Sequence, residues 1–456
     1  MRKLTLAAAI LAALLVGLIG VPSAQLTARD PGVRDGLAAA GAPLPGLTPA
    51  QLALFKAGKE EFEEIEEVAD GLGPRFNLDS CVGCHAQPAA GGTSPKVNPQ
   101  VAVAKKFANR VPYFVTADGP VREARFQYNR DGSRDGGVHA LFVIAGPAAP
   151  GCNIRQEDFF AQRDNIIFRI PTPVFGAGLI EMIPDSALLA NQAAMASQKA
   201  ALGIRGRPNR VRISGTVNRN GNDGTISRFG WKAQNKSLLL FSGEAYNVEM
   251  GITSELFQTE RDETPGCLLP GVTVPNTTTP EDEEAIGPAA LAAIEKFALF
   301  MRFLAPPTPS PDTPGGKDSI DRGRALFGLP PAGVGCALCH TPTLTTGNAT
   351  VAALRNKPVN LYSDLMVHSM GRLLADDIVQ GEADPDEFRT APLWGLGQRI
   401  FFLHDGRTKD LVEAIQAHRS GPSTRYPASE ANAVIDGYNR LNERQKQDVL
   451  NFLRSL

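Results

Sequence analysis

The 456-residue sequence predicts a mainly α-helical protein made of two similar units, the first of which carries a large mixed α/β insertion. Three observations support this prediction. The motif Cys-x-x-Cys-His occurs twice, at residues 81–85 and 336–340, and each copy follows a predicted helix. A further helix with one apolar face closes each unit. Between the units, residues 306–316 are rich in proline and are expected to form an extended linker.

The repeated motif is the attachment site expected for a c-type haem. Two thiols three positions apart can each form a thioether with one vinyl group of the same haem, and the histidine that follows can then bind the iron. A zinc site fits less well, because neither cysteine pair has two further ligands at suitable spacing nearby. We therefore expect two covalently bound haem c groups. The attachment residues are Cys81, Cys84, Cys336 and Cys339, and the proximal iron ligands are His85 and His340.

The N-terminus has the pattern of a secretory signal peptide over residues 1–24. Basic residues at positions 2 and 3 precede a continuous apolar run, and small residues suited to cleavage follow it. An uncleaved membrane anchor is the alternative, since the run approaches the length of a membrane span. Cleavage predicts a periplasmic protein, which agrees with haem attachment outside the cytoplasm. Residues 25–48 are rich in Ala, Gly and Pro and predict a flexible lead-in.

Composition limits the kinds of partner. The chain has 46 Lys and Arg against 48 Asp and Glu, so nothing in its charge indicates a nucleic-acid partner. After the signal peptide, no stretch is apolar enough to predict a membrane span.

Two cysteines, Cys152 and Cys267, lie outside the repeated motif, and each follows Pro-Gly. In an oxidising compartment such a pair is expected to form a disulfide. Two free buried thiols are the alternative.

The helices are predicted from apolar residues at helical spacing. The first unit (residues 49–305) opens with a helix over about 48–70, in which Gly58 precedes Phe62 by four positions. The second unit (residues 317–456) opens with a helix over 319–327 that has the same spacing, Gly323 before Phe327. Apolar stripes predict the closing helices at 288–304 and 441–456. This order of helix, motif and closing helix resembles a class I cytochrome c domain, twice.

The insertion of the first unit has β character in several short segments and hairpin-type turns at 220–221 and 223–224. We expect it to cover the first haem. The predicted strands are 111–114, 139–144, 165–170, 210–217 and 237–241.

Several longer motifs resemble those of the bacterial di-haem oxidoreductase (putative peroxidase) family, which is also called thiol oxidoreductase. That family is related to di-haem cytochrome c peroxidase and to the methylamine-utilisation di-haem enzyme. The resemblance covers most of residues 50–456 but does not fix a reaction, because the substrates of the family are poorly defined. Its motifs are residues 71–77, 119–126, 168–181, 229–234, 362–365, 392–396 and 402–406.

The resemblance implies a distal ligand for the second haem. In the related peroxidases, a turn of the type aromatic-His-Asp-Gly precedes a short helix that carries this ligand, and here the helix is predicted at 410–418. His418 stands where the peroxidases carry Met and the methylamine enzyme carries Tyr. This predicts a bis-histidine iron with His340 and a lowered potential, with His404 as the alternative ligand. We expect His368 to form hydrogen bonds near this haem.

The sequence leaves several alternatives for the distal side of the first haem. Met250 mirrors the distal-ligand segment of the second unit and could bind the iron. His139 could be a sixth ligand or a distal acid–base group, and the iron could equally keep an open face. The polar candidates for catalysis are Glu123, Arg125 and His139, although each could also be a surface or fold residue.

The predicted function is an exported di-haem oxidoreductase of the peroxidase type, in which haem 2 relays electrons to haem 1. Its partners would be a redox protein and a small oxidant such as peroxide. Trp231 and Trp394 are the two tryptophans, and either could assist electron transfer between the haems. The alternative function is a non-enzymatic electron carrier in which both irons are six-coordinate.

Overall fold

The computed structural model covers most of the chain after the signal-peptide region. The predicted signal peptide, the two predicted turns at 220–221 and 223–224, and the start of the first closing helix lie outside the described residues. Within the described part of the chain, no helix combines the length and the apolar character needed to cross a membrane. The structure describes residues 27–144, 151–210, 212–213, 216–217, 226–254, 256–258, 267 and 291–456.

Helices form the frame of both units. The α-helices are α1 (Pro49–Glu63), α2 (Cys81–Cys84), α3 (Gln100–Lys106), α4 (Ala177–Glu181), α5 (Asp185–Ala193), α6 (Ala196–Ala201), α7 (Leu238–Met250), α8 (Ala293–Phe303), α9 (Lys317–Phe327), α10 (Leu411–Ala417), α11 (Asn432–Asn439) and α12 (Glu443–Ser455). Short 3-10 helices lie at Val68–Asp70, Arg163–Asn165, Cys336–Leu338, Ala352–Leu354 and Leu396–Gln398.

The strands are short and form small antiparallel sheets. In the largest sheet of the described residues, β2 pairs with both β3 and β5. Strands β1 and β4 form a separate two-stranded sheet. The strands are β1 (Arg75–Phe76), β2 (Glu123–Phe126), β3 (Val138–His139), β4 (Phe142–Val143), β5 (Ile166–Arg169), β6 (Asn209–Arg210), β7 (Arg212–Ile213), β8 (Thr216–Val217), β9 (Ile226–Ser227), β10 (Leu344–Thr345), β11 (Pro358–Val359), β12 (Val367–Ser369) and β13 (Glu387–Arg389).

Each unit contains a pair of helices that pack closely at a glycine. Helix α1 packs on α8 and helix α9 packs on α12. A Cβ atom on Gly58 would lie 2.3 Å from the carbonyl oxygen of Lys296, and one on Gly323 would lie 1.9 Å from that of Asp448. Both positions therefore require glycine, because any side chain would force the helices apart.

The phenylalanine four residues after each glycine packs against the partner helix. The ring centroids of Phe62 and Phe300 are 4.8 Å apart, and those of Phe327 and Phe452 are 5.4 Å apart. The repeated Gly-x-x-x-Phe spacing in the sequence thus marks the contact between the opening and closing helices of each unit.

The predicted strand at 237–241 is wrong, because these residues begin helix α7. The Ser237 side chain accepts a hydrogen bond from the Leu240 amide and caps the helix. The buried positions Leu238, Ser242 and Tyr246 continue at helical spacing. The apolar run alone did not distinguish a buried strand from the first turns of a buried helix.

Two further predicted elements differ from the structure. The predicted strand at 111–114 is a turn, in which the Val115 amide donates to the Pro112 carbonyl and the proline itself has no amide to donate to a sheet. The opening helix ends at Glu63 rather than near residue 70, and Ile65 beyond it is exposed.

Residues 27–48, predicted as a flexible lead-in, contact both units in the structure. The Asp30 carboxylate accepts two hydrogen bonds of 2.6 Å from the Arg454 guanidinium and one of 2.9 Å from the Leu411 amide. Further along, the Leu44 amide donates to the Phe303 carbonyl. Composition gave no sign of these contacts, because most of them are hydrogen bonds of the segment's backbone, which any residue type can form.

Candidate haem sites

The structure contains two large cavities, each built around one copy of the repeated motif. Cavity 1, about 1190 Å³, surrounds motif 1 (residues 81–85). Cavity 2, about 1430 Å³, surrounds motif 2 (residues 336–340). Both volumes include space that is open to solvent.

In motif 1, the local fold directs one nitrogen of His85 at the cavity. Helix α2 is capped by Ser80, whose hydroxyl accepts a hydrogen bond from the Gly83 amide. The Nδ1 atom of His85 lies 2.9 Å from the Gly92 carbonyl oxygen. Since a carbonyl can only accept, Nδ1 carries the proton and Nε2 keeps its lone pair for a metal.

Motif 2 repeats this arrangement. The Nδ1 atom of His340 donates to the Tyr362 carbonyl at 3.0 Å. Burial lowers the pKa of both His85 and His340 to about 4, so both imidazoles are neutral and suited to iron.

The phenylalanine of each opening helix packs beside the histidine of its motif. The ring centroids are 5.9 Å apart for Phe62 and His85, and 6.1 Å apart for Phe327 and His340. In each unit, the phenylalanine of the opening helix thus lines the cavity and also packs against the imidazole of the motif.

The charges of two buried arginines in cavity 2 indicate whether a haem fits the site. Arg389 and Arg399 line the cavity, and burial lowers the pKa of each to about 10. Among the described residues, no carboxylate pairs with either, and the Nη2 atom of Arg399 has no hydrogen-bond partner. Unpaired buried cations are costly. The propionates of a haem attached to motif 2 would supply the missing negative charge, so these residues fit the group.

His418 and His404 both line cavity 2. His418 directly follows α10, and its Nδ1 atom donates to the Ala414 carbonyl at 2.8 Å, which leaves Nε2 free to bind a metal. After burial, the charge of His418 is the next cause that lowers the pKa of His340. The His404 ring is stacked on Phe388, with 4.4 Å between centroids. These contacts support His418 as the proposed sixth ligand.

Replacing His418 by alanine is expected to convert one ferric haem from low spin to high spin, because the iron of haem 2 would lose its sixth ligand. EPR and optical spectra of the ferric protein measure this change. His404→Ala is the matched control, since His404 lines the same cavity, and it should leave that haem low spin. If His404→Ala gives the high-spin haem and His418→Ala does not, the assignment of His418 as the sixth ligand is wrong.

Cavity 1 contains a hydrogen-bonded pair of carboxyl groups. Glu123, on β2, forms an ion pair of 2.7 Å with Arg125 and is hydrogen-bonded to Glu249 on α7. The Asn77 side chain donates to Glu249 at 2.9 Å and holds it in place. All four side chains line cavity 1.

The two carboxyl groups differ in acidity. Burial and the charge of Glu123 raise the pKa of Glu249 well above its ordinary value. Burial would also raise the pKa of Glu123, but the charge of Arg125 outweighs it and lowers the pKa to about 2. The pair therefore holds one proton near neutral pH, with Glu249 as the acid and Glu123 as the carboxylate.

The other predicted residues of the sites lie in different places. Met250 is buried and lines cavity 1. His139 does not line it: its ring is stacked on Phe126, and its Nε2 atom lies 3.0 Å from Asp135. His368 lines cavity 2. Its Nε2 atom lies 2.9 Å from the Asp364 carboxylate, and its Nδ1 atom lies 2.7 Å from the Glu430 carboxylate.

Cys152 and Cys267 are joined by a disulfide. Neither residue lines cavity 1 or cavity 2. The bond links two parts of the insertion.

Trp231 lies between the two cavities and lines both. Its indole Nε1 donates to the Ile170 carbonyl at 2.8 Å, and the Arg399 guanidinium lies 5.6 Å from its ring centroid. Trp394 is buried but lines neither large cavity. Trp231 is therefore the tryptophan placed to connect the sites.

The sequence interpretation missed Glu249, Arg389 and Arg399 as residues of the sites. For Glu249 there was a signal, because it precedes Met250 in the segment that mirrors the distal ligand. For the two arginines there was none, since their burial depends on contacts between the units.

Comparisons relate this chain to known proteins. A family model described as "Di-haem oxidoreductase, putative peroxidase" matches residues 151–456, which include motif 2 and Trp231. No curated protein matches the sequence. Similar solved structures include Kuenenia stuttgartiensis hydrazine synthase under xenon (18% identity, TM-score 0.24, 36% of this chain and 55% of that chain). Another is a MauG-like protein associated with microbial copper homeostasis (22% identity, TM-score 0.25, 39% and 55%). The chain thus spans about half the length of each, and these TM-scores support no argument.

Proposed function

Because the chain belongs to the di-haem oxidoreductase, putative peroxidase family, we propose that it reduces a small oxidant such as peroxide at a haem in cavity 1. The observation that carries this proposal is the difference between the cavities. Cavity 1 holds the acid–base pair of Glu123 and Glu249 beside Arg125, whereas cavity 2 holds a second histidine, His418, in position to close its iron.

The proposed architecture is two class I cytochrome c-like units, residues 49–305 and 317–456, joined by the linker 306–316. The equivalent helix pairs and the equivalent histidines support it. The cysteines of each motif would hold one haem through thioethers. The N-terminal pattern supports export to the periplasm and removal of residues 1–24.

Haem bound in cavity 1 would supply electrons for cleavage of the O–O bond. Glu249 would donate a proton to the departing oxygen. The Glu123–Glu249 pair, then holding two negative charges, would be basic enough to take up the proton that bound peroxide loses, whereas Glu123 alone, with a pKa of about 2, would not. Arg125 would stabilise the negative charge that develops between these steps. Reduction of peroxide to water consumes two electrons and two protons; the pair gains as many protons as it gives, so both would come from the solvent.

The electrons would come from a redox partner protein by way of cavity 2. Trp231 supports a path between the two cavities, because it lines both of them. Its hydrogen bond to Ile170, which lines cavity 1, fixes the indole in that position.

A non-enzymatic electron carrier is the second candidate function. The observation in its favour is Met250, which is buried and lines cavity 1, where its sulfur could close the iron of haem 1. Both irons would then be six-coordinate, and neither would bind peroxide.

EPR of the ferric full-length protein carrying both haems separates the two functions. The enzyme should show one high-spin and one low-spin haem and should react with peroxide. The control is Met250→Ala, which should add a high-spin signal only if Met250 is a ligand in the wild type. Wholly low-spin iron that ignores peroxide, even after partial reduction, would refute the enzyme.

A further inference from the structure

We propose that Tyr246 is a redox-active tyrosine that gives one electron to an oxidised haem group in cavity 1 while its phenolic proton moves to Glu66. The inference rests on the proposed function to the extent that cavity 1 receives an oxidant. It adds a residue that can hold an oxidising equivalent within the protein.

The position of Tyr246 follows from helix α7. Ser242, Tyr246, Glu249 and Met250 are three to four positions apart, so they share one face of the helix, and all line cavity 1. The tyrosine is 3% exposed, and its ring packs edge-on against Phe297 at 5.1 Å. The phenol is therefore screened from water on a wall of the proposed haem pocket.

The hydroxyl of Tyr246 is hydrogen-bonded to a buried carboxylate. It lies 2.9 Å from an oxygen of Glu66, which is 4% exposed. The Glu66 amide donates to the Asp79 carbonyl, two residues before motif 1. The charge of Glu66 acts on Cys81, that of Cys81 acts on Tyr246, and both Cys81 and Tyr246 line cavity 1, so the pair lies near the cysteine proposed to bind the haem edge.

Glu66 is suited to accept the proton. Burial, together with the neighbouring carboxylates Glu64, Glu61 and Asp70, raises the pKa of Glu66 to about 7, which makes it a better base than an exposed carboxylate. Burial and the charge of Glu66 raise the pKa of Tyr246 well above its ordinary value, so the phenol does not ionise by itself. It can lose its proton only as it loses an electron.

Oxidation of Tyr246 is balanced in electrons and protons, and the proton moves along the hydrogen bond from Tyr246 to Glu66. Tyr246 loses one electron and its O–H proton and becomes a neutral radical. Glu66 changes from carboxylate to carboxylic acid, and the oxidised haem group gains the electron. Trp231 differs, because its N–H donates to the Ile170 carbonyl, which is not a base that can keep a proton. Tyr246 is thus placed to store an oxidising equivalent, and Trp231 is placed to pass electrons.

Rapid-freeze EPR of the ferric full-length di-haem protein tests this inference. Two oxidants are used separately: hydrogen peroxide, and photogenerated tris(bipyridine)ruthenium(III), which removes single electrons and needs no reaction with peroxide. Wild-type protein should give a tyrosyl radical with both, and Tyr246→Phe should abolish it. Glu66→Gln keeps a hydrogen-bond acceptor but cannot take the proton, so it should lower the radical yield at least about tenfold at unchanged haem content.

Tyr438→Phe is the matched control. Tyr438 is buried and lines cavity 2, but its hydroxyl has no hydrogen-bond partner within the described part of the chain. Its removal should leave the radical unchanged. A radical that survives in Tyr246→Phe, or wild-type protein that gives none with ruthenium(III), overturns the inference. A radical with ruthenium(III) and no reaction with peroxide would support Tyr246 and refute the proposed function instead.

Discussion

Replacing Glu123 by glutamine should slow peroxide reduction by roughly 10²- to 10⁴-fold, the usual contribution of a general acid–base group. Glutamine is nearly the same size but cannot accept a proton, and it would also leave Arg125 without its ion pair. The measurement is kcat/KM for peroxide with a reduced artificial electron donor, at matched haem content and with unchanged ferric spectra.

Glu244→Gln is the control for this prediction. Glu244 is another carboxyl group that lines cavity 1, but its hydrogen bond is to Asn235 and it lies outside the Glu123–Glu249 pair. Its replacement should change the rate little. Equal losses in Glu123→Gln and Glu244→Gln would mean that general damage to the cavity, rather than loss of a base, slows the reaction.

The same pair predicts how the rate depends on pH. Since the pKa of Glu249 is raised, the protonated acid is present at neutral pH, and the rate should fall as rising pH removes that proton. Glu249→Gln should be slow throughout and should lose this alkaline fall.

Replacing Asp376 by asparagine should lower the free energy of unfolding by about 3–5 kcal/mol, which is the usual cost of breaking a buried ion pair. The Asp376 carboxylate accepts from Arg169 at 2.5 Å and lies 3.2 Å from the Lys232 ammonium, and all three side chains are buried. Asparagine would leave two buried cations without a counter-charge. Urea denaturation followed by circular dichroism at pH 7 measures the loss.

Two further variants show whether the buried charge causes this loss. Asp436→Asn breaks an exposed pair with Arg419 and should have little effect. Replacing Arg169, Lys232 and Asp376 together by apolar residues of similar volume should recover much of the stability, because no unpaired charge remains. A triple variant as unstable as Asp376→Asn would contradict this explanation.

The loss should also depend on pH. Burial raises the pKa of Asp376, but the charges of Arg169 and Lys232 outweigh it and lower the pKa to about 2. The stabilisation is therefore present above the ordinary pKa of an aspartate, near 4, and is lost as the pH falls towards 2. The difference between wild type and Asp376→Asn should narrow over that range.

The features that the sequence predicted are those set by local spacing. Motif 1 and motif 2, Gly58 with Phe62 and Gly323 with Phe327 all carry their geometry in residues a few positions apart. The structure gives each a defined place at a helix contact or a cavity wall.

What the sequence did not predict depends on contacts between distant segments. Glu249 on α7 is hydrogen-bonded to Glu123 on β2 across 126 positions, and nothing near either residue indicates the other. The three members of the Arg169, Lys232 and Asp376 network likewise come from separate segments of both units. His139 shows the reverse case: it was singled out by residue type, but Phe126 and Asp135 hold it outside the cavity lining.

The contacts of residues 27–48 with both units limit the order in which the parts of the protein can fold. Asp30 is 424 positions before Arg454, and it also bonds to the start of α10. A chain that emerges from its N-terminus therefore presents Asp30 long before its binding surface exists. Residues 27–48 are therefore synthesised before their binding surface, and Asp30 can bind Arg454 only after α12 has formed.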